Sequence, residues 1–145
     1  MKRFDQNTQE IFVVDLNDLI HNKVEFLTGQ FNIFFDKEEV IGLYCYDNFV
    51  VNCIYTIRRV ANSFLVNLNI RVSLPVFCDL CLNKFEYDFN LSVEEIFTTS
   101  FEYTGKSEDL YYFIFDGRHI DVGRVCVENF ISNLPSKIVD NCKRK

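Results

Sequence analysis

The chain has 145 residues, of which 48% are hydrophobic, and a formal net charge of −6. This length is typical of one ordinary domain with its own core, so we expect a single domain over residues 1–145. The negative charge argues against a general nucleic-acid-binding protein, which would usually be basic. No apolar run approaches the roughly 20 residues that span a bilayer, and polar residues 5–7 leave no signal-peptide core. We therefore expect a cytoplasmic protein with no membrane partner, whose six cysteines are thiols or metal ligands rather than disulfides.

The N-terminal third is predicted to contain short elements. The apolar run 11–14 predicts a strand, and Asp15 is well placed to cap one helical turn over residues 15–20. Hydrophobic residues then recur over 24–34, which predicts an extended stretch, and a charged turn follows at 37–39.

The middle of the chain is predicted to form longer strands. Residues 41–46 and 49–60 are two apolar stretches joined by a polar turn. In 66–76 and 85–94, apolar and polar residues alternate strictly, which predicts the two half-buried strands of a long hairpin. Pro75 cannot donate to a neighbouring strand, so the pairing there should lie at an edge or a bulge.

The C-terminal part changes character. Residues 98–109 predict a polar loop, and the aromatic run 110–115 predicts a returning strand. Asp121 is suited to cap a helix whose apolar residues recur at helical spacing and which Pro135 ends, so a helix is predicted over 121–134. The elements together predict an α+β fold, with a mostly antiparallel twisted sheet or a partly closed barrel, and a C-terminal helix.

A Cys-x-x-Cys element, Cys78 and Cys81, lies in the loop of the long hairpin. Structural zinc sites have four ligands, and Cys142 with His21 or His119 would be needed to complete one here. No spacing supports such a set, so we favour reduced thiols that shape the turn over zinc and expect no other cofactor. A redox role is disfavoured, because a lowered thiol pKa usually requires a helix N-terminus or a nearby cation.

Charged residues are distributed unevenly. The segment 48–78 has no acidic residue, whereas 79–128 has eleven acidic and four basic residues. A weakly basic strip of this kind predicts contact with RNA through side chains that share a polar strand face or lie on its neighbour. The candidate contact residues are Arg58, Arg59, Asn67, Asn69 and Arg71. The alternative is that the acidic part is the docking surface for a basic protein, without a role in RNA.

No catalytic signature is evident. His119 is the only histidine in a promising loop, and no Gly-x-Ser-x-Gly or Cys/His pattern accompanies it. We expect His119 to be a turn residue beside Asp116. The sequence therefore predicts that the protein is not an enzyme and has no small-molecule substrate.

Adjacent residues of a strand point to opposite faces, so Glu94 and Glu95 are not expected to act as an acid pair. We expect Glu94 to face solvent and Glu95 to be buried against an arginine such as Arg118 or Arg124.

Several short motifs occur in a distinctive order between about residues 64 and 142. They are Cys-x-x-Cys-Leu, Glu-Glu-x-Phe, Ile-Asp-x-Gly with a later Glu, and Leu-Pro. The residues concerned are Cys78, Cys81, Leu82, Glu94, Glu95, Phe97, Asp121, Gly123, Glu128, Leu134 and Pro135. In this order they resemble the YceD family of bacterial large ribosomal RNA subunit accumulation proteins.

The resemblance implies a non-enzymatic role in the accumulation, processing and assembly of the large ribosomal subunit. The implied partners are ribosomal RNA, a pre-ribosomal particle or a ribosomal protein. Two positions depart from the family pattern: Leu80 stands where an arginine is frequent, and of a further cysteine-rich element only Cys142 and Lys143 match. This second departure weakens the expectation of zinc.

Overall fold

The computed structural model describes residues 12–98, 111–114 and 116–139. The secondary structure of this part alternates short and long elements. In chain order they are β1 (Val13–Asp15), α1 (Asn17–Ile20), β2 (Phe26–Phe35), β3 (Phe49–Val60), β4 (Ser63–Phe77), β5 (Lys84–Thr98), β6 (Tyr111–Ile114), β7 (His119–Asp121) and α2 (Val122–Ser132).

The main sheet has five strands in the order β2-β3-β4-β5-β6, and β1 pairs with β7 in a separate two-stranded sheet. Strands β2 to β5 form antiparallel hairpins, and β4 and β5 pair along their full length of 15 residues. The predicted antiparallel sheet with a C-terminal helix is thus confirmed. In the described residues β2 and β6 are the two edges of an open sheet, so the alternative of a partly closed barrel is not confirmed.

One face of the sheet holds the hydrophobic core. Alternate residues of β3 and β4 are buried, because successive side chains of a strand point to opposite faces; Val51, Ile57, Val66 and Ile70 are at most 1% exposed. Helix α2 packs on this face through Phe130. The ring of Phe130 lies 5.6 Å from that of Phe35, 6.1 Å from that of Phe49 and 5.6 Å from that of Phe89.

The run 41–46 is not a strand, contrary to the prediction. Gly42 adopts a φ of 88°, and the amide of Leu43 donates to the carbonyl of Val40 at 3.2 Å, so the chain turns here. Only Cys45 pairs in strand fashion, through an isolated bridge to Val76.

Pro75 lies where β4 has passed the end of its pairing with β3. Its carbonyl accepts from the amide of Tyr46 at 2.8 Å, so the missing N–H of Pro75 is on the side away from β5. On that side β4 has only the isolated bridge between Cys45 and Val76 and no long strand, so Pro75 lies where strand pairing is interrupted.

The C-terminal elements lie where the sequence predicts them, but one strand runs in a different direction from the one expected. Strand β6 lies within the predicted run 110–115, yet it pairs parallel to β5 instead of returning antiparallel. The predicted polar loop at 98–109 lies almost entirely outside the described residues. No helix in the part of the chain that the structure describes has the length and apolar character needed to cross a membrane.

Helix α2 begins at a side-chain cap, as the sequence predicts. The Oδ1 atom of Asp121 accepts from the amide of Arg124 at 3.0 Å, which satisfies one of the free amides of the first turn. We expect Asp121→Ala to lower the free energy of unfolding by about 1 kcal/mol, and Asp121→Asn to change it much less because an amide oxygen also caps. Urea denaturation of both variants tests this, and equal losses would show that the stabilisation does not come from the capping hydrogen bond.

Candidate nucleic-acid interface

The second face of the sheet is open and polar. Side chains of β2 to β5 line up across it in rows set by the strand register. The first row is Thr28, Thr56, Asn67 and Glu94, the second is Gln30, Ile54, Asn69 and Ser92, and the third is Asn32, Asn52, Arg71 and Asn90. We call these residues, with Arg58 beside the first row and the β2 end residues Phe26 and Phe34, the open face.

Hydrogen bonds within the rows hold several of these side chains in place. The side-chain Nδ2 of Asn52 donates to Oδ1 of Asn32 at 2.8 Å, and the hydroxyl of Ser92 donates to Oδ1 of Asn69 at 2.9 Å. The second and third rows therefore present amide and hydroxyl groups that these hydrogen bonds hold in place. Such groups can contact both phosphates and base edges.

Four of the five predicted contact residues share this face. Arg58, Asn67, Asn69 and Arg71 lie on it, as the register of β3 against β4 shows. Arg59 does not, because neighbouring residues of a strand point to opposite sides. Its Nη1 donates to the carbonyl of Ile20 at 3.1 Å.

The arginines of the open face differ from the other described arginines in their partners. Nε of Arg118 lies 3.4 Å from a carboxylate oxygen of Asp15, and Nε of Arg124 lies 3.3 Å from one of Glu128. Within the described ranges, Arg58 and Arg71 have no ion-pair partner. Their charge is therefore available to an external anion.

Carboxylates are excluded from most of the open face. Strands β2, β3 and β4 contain no Asp or Glu, although the chain has 21 acidic residues. The neighbouring strand β5 carries exposed Glu86, Asp88 and Glu94. The expected exposure of Glu94 is thus confirmed, and the acid-free surface ends at β5.

Sequence reasoning missed the exposed aromatic residues of this face. Phe26 is 50% exposed and Phe34 is 60% exposed, on the same side of β2 as Thr28, Gln30 and Asn32. Their signal is the alternation of Phe, Thr, Gln, Asn and Phe at every second position. This alternation is hard to recognise in the sequence, because the intervening positions include Phe31 and Phe35. Phenylalanine therefore occurs on both faces of β2.

The Cys-x-x-Cys element forms a tight turn between β4 and β5. Sγ of Cys78 accepts from the amides of Leu80 at 3.3 Å and Cys81 at 3.4 Å, and the amide of Leu82 donates to the carbonyl of Cys78 at 2.9 Å. Leu82 adopts a left-handed φ of 66°. Cys78 is fully buried, whereas Cys81 is partly exposed.

Asp79 ties this turn to the segment after α2. Its amide donates to the carbonyl of Ile138 at 2.8 Å, and its Oδ2 accepts from the amide of Ile138 at 2.7 Å. Ile138 is 6% exposed and packs in the core. Cys142 lies outside the described residues, and within those residues no group of three or more His, Cys, Asp or Glu side chains is arranged to hold a metal ion.

The remaining described cysteines belong to the interior. Cys53 on β3 and Cys126 on α2 are fully buried, and a hydrogen bond with Cys53 together with burial raises the pKa of Cys126. Burial raises the pKa of Cys45 to about 11. The thiols of Cys45 and Cys126 therefore stay protonated at neutral pH, and all three cysteines pack as small apolar groups in or against the core.

The turn before α2 contains His119 beside Asp116, as predicted. Nδ1 of His119 lies 3.2 Å from Oδ2 of Asp116, whose Oδ1 also accepts from the amides of Arg118 and His119. These backbone hydrogen bonds are the main reason that the pKa of Asp116 is lowered. The carboxylate therefore serves to close the turn at Gly117, whose φ is 91°.

Glu95 is buried as predicted, but its partner is not an arginine. It is 4% exposed, and its Oε2 accepts from Nδ2 of Asn129 on α2 at 2.8 Å. Arg118 and Arg124 are paired elsewhere, with Asp15 and Glu128. In the described residues Oε1 of Glu95 has no hydrogen-bond partner.

Burial raises the pKa of Glu95 above its ordinary value of 4.5. The folded state therefore favours the neutral carboxyl group, and this contribution to stability is complete below pH 4.5 and is lost as the pH rises through the folded-state pKa. We expect Glu95→Gln to match the parent chain in acid and to exceed its free energy of unfolding by about 1 kcal/mol at neutral pH. Urea denaturation across pH tests this, and a difference that does not vary with pH would contradict it.

Several of the motif residues stabilise the hairpin turn between β4 and β5 and the position of α2. Cys78, Cys81 and Leu82 form the hairpin turn, and Glu95 and Asp121 fix α2 against the sheet and at its start. A methyl group on Gly123 would lie 2.8 Å from Cβ of Phe12, so a larger residue would require Phe12 to move. These positions shape the domain, and of the motif residues Glu94 lies in a row of the open face.

Comparison with known proteins covers more than half of the chain. The family model described as large ribosomal RNA subunit accumulation protein YceD matches residues 66–145. Searches of curated proteins and of solved structures found no significant match. The matched segment contains every motif residue named above, and the chain belongs to the YceD family.

Proposed function

We propose that the chain is a cytoplasmic accessory factor for accumulation and processing of large-subunit ribosomal RNA and for assembly of that subunit. It acts as a single domain over residues 1–145, by binding and not by catalysis. The family assignment supports the link to ribosomal RNA. The partner is the RNA itself or a pre-ribosomal particle containing it, and a ribosomal protein is the other partner that the family description allows.

The observation that carries this proposal is the acid-free part of the open face. A protein of net charge −6 repels a polyanion over most of its surface. Strands β2 to β4 lack carboxylates altogether, and Arg58 and Arg71 on them have no ion-pair partner among the described residues. This is the surface at which phosphate can approach with least repulsion.

Sedimentation of a tagged copy from gently lysed cells through a sucrose gradient tests the function. The expected result is co-migration with precursors of the large subunit, abolished by RNase. Migration only at the top of the gradient at several salt concentrations would overturn the proposal and favour the acidic region 79–128 as a docking surface for a basic protein.

The cysteine turn supports a second candidate property, zinc binding through Cys78, Cys81 and Cys142. Two amides donate to Sγ of Cys78, which stabilises a thiolate. The zinc would serve as a structural cross-link.

Zinc analysis of the purified chain tests this property. About one zinc per chain, lost in Cys78→Ser and kept in Cys45→Ser, would establish the site and overturn our preference for reduced thiols. A chain that binds no zinc when equimolar zinc is supplied would show that the thiols are reduced and only shape the turn.

A further inference from the structure

We propose that the open face takes single-stranded RNA, with Phe26 and Phe34 as stacking platforms at its two ends. This inference rests on the proposed function and specifies its ligand class and its footprint. Single-stranded RNA differs from a duplex in offering unstacked bases, whose faces bind aromatic rings and whose edges bind polar side chains.

The two phenylalanines are exposed at the two ends of β2. They stand eight residues apart on β2, roughly 26 Å, at opposite ends of the same face. Each is at least half exposed, although a phenylalanine on a sheet usually gains stability from burial. Phe26 lies directly opposite Arg58 in the register, so one end offers an aromatic ring beside a guanidinium group.

Between the two rings, neutral hydrogen-bonding groups surround Ile54, which is 37% exposed. Thr28, Gln30 and Asn32 follow one another along β2, and Asn52, Asn67 and Asn69 lie on the adjoining strands. Amides can donate to and accept from base edges, whereas they bring no charge to neutralise phosphates. The face is therefore better suited to hydrogen bonds with base edges than to binding the phosphate backbone of RNA.

The small number of cations excludes a duplex as the preferred ligand. Duplex RNA is recognised mainly through phosphates and 2′-hydroxyls, and the described open face offers only Arg58 and Arg71 as unpaired cations. Two phosphate contacts predict a shallow dependence of affinity on salt, with a slope of about −1.4 in log K against log salt.

Strand β5 sets the border of the footprint. Its exposed Glu86, Asp88 and Glu94 repel phosphates, so the RNA is confined to β2, β3 and β4. The length between the two rings predicts a site on the order of 4 nucleotides or more.

Fluorescence anisotropy of the purified full chain with labelled oligouridylate, and with an RNA duplex of equal length, tests the inference. We expect the single strand to bind more tightly than the duplex, with the shallow salt slope given above. Phe26→Ala and Phe34→Ala should each weaken binding roughly tenfold. Tyr44→Ala, which removes a ring that is 74% exposed outside this face, should not.

A pair of isosteric variants provides the charge control. Asn52→Asp places a carboxylate in the middle of the face and should weaken binding by a similar factor, whereas Asn83→Asp in the hairpin loop should have little effect. Circular dichroism confirms that all variants are folded.

Tighter binding of the duplex than of the single strand would overturn the inference. Unchanged affinity for the single strand in Phe26→Ala and Phe34→Ala would also overturn it. So would failure of the purified chain to bind the single strand while the tagged copy still co-sediments with large-subunit precursors. In that last case the proposed function stands and the ligand class is wrong, whereas loss of co-sedimentation defeats the function itself.

Discussion

Phe130→Ala is expected to lower the free energy of unfolding by about 3–5 kcal/mol, the range for removal of a buried aromatic ring. Phe130 is fully buried, and its ring is the common neighbour of Phe35, Phe49 and Phe89, so three strands and α2 meet at this side chain. Such a loss is a large share of the roughly 5–15 kcal/mol that stabilises an ordinary domain. Urea denaturation followed by circular dichroism measures it.

Phe34→Ala is the matched control, since it removes the same ring from a position that is 60% exposed. We expect this variant to lose less than about 1 kcal/mol. Equal losses for the two variants would contradict the assignment of the core to the face that α2 covers.

Charge reversal on the open face is expected to have the largest functional effect. In the double variant Arg58→Glu and Arg71→Glu, two attractive contacts with phosphate become repulsive, which costs several kcal/mol. We therefore expect association with large-subunit precursors to fall by at least about 100-fold, so that the variant remains at the top of a sucrose gradient.

The matched control reverses Arg118 and Arg124, which changes the net charge equally. These two arginines are already paired with Asp15 and Glu128 away from the open face. This variant should still co-sediment. Equal loss in both double variants would mean that overall charge, and not the open face, governs the association.

Much of the sheet follows from the sequence because its strands have a strict period of two. Strands β4 and β5 expose one face and bury the other, so the alternation of residues 66–76 and 85–94 predicts both strands and the hairpin. Helix α2 was predicted for an equally local reason, since Asp121 and the helical spacing after it act within a few residues.

The predictions that failed depend on distant parts of the chain. The apolar run 41–46 has strand composition, but no neighbouring strand pairs with it beyond the bridge at Cys45. Strand β6 runs parallel to β5, and an aromatic run of this length contains no pattern that distinguishes a parallel neighbour from an antiparallel one. Glu95 was expected to pair with an arginine such as Arg118 or Arg124. Instead, its carboxyl group accepts a hydrogen bond from Nδ2 of Asn129, which also donates to the carbonyl of Val125 one helical turn earlier.

The open face was only partly predictable. Alternation correctly placed Asn67, Asn69 and Arg71 on one face of β4, and the structure adds Arg58 of β3 to that face, while their contact with RNA stays a prediction. Adding Arg59 ignored the rule that neighbouring residues point to opposite faces. The exposure of Phe26 and Phe34 depends on which face of β2 is covered, and β2 is apolar enough on both faces that only the structure distinguishes them.

Ultraviolet cross-linking of the chain to large-subunit precursor RNA, with the cross-linked peptides identified by mass spectrometry, tests the central claim most directly. We predict cross-links within β2, β3 and β4, including Phe26 or Phe34, because these strands form the acid-free part of the open face. Cross-links confined to α2, to the cysteine turn at 78–83 or to the acidic face of β5 would contradict it.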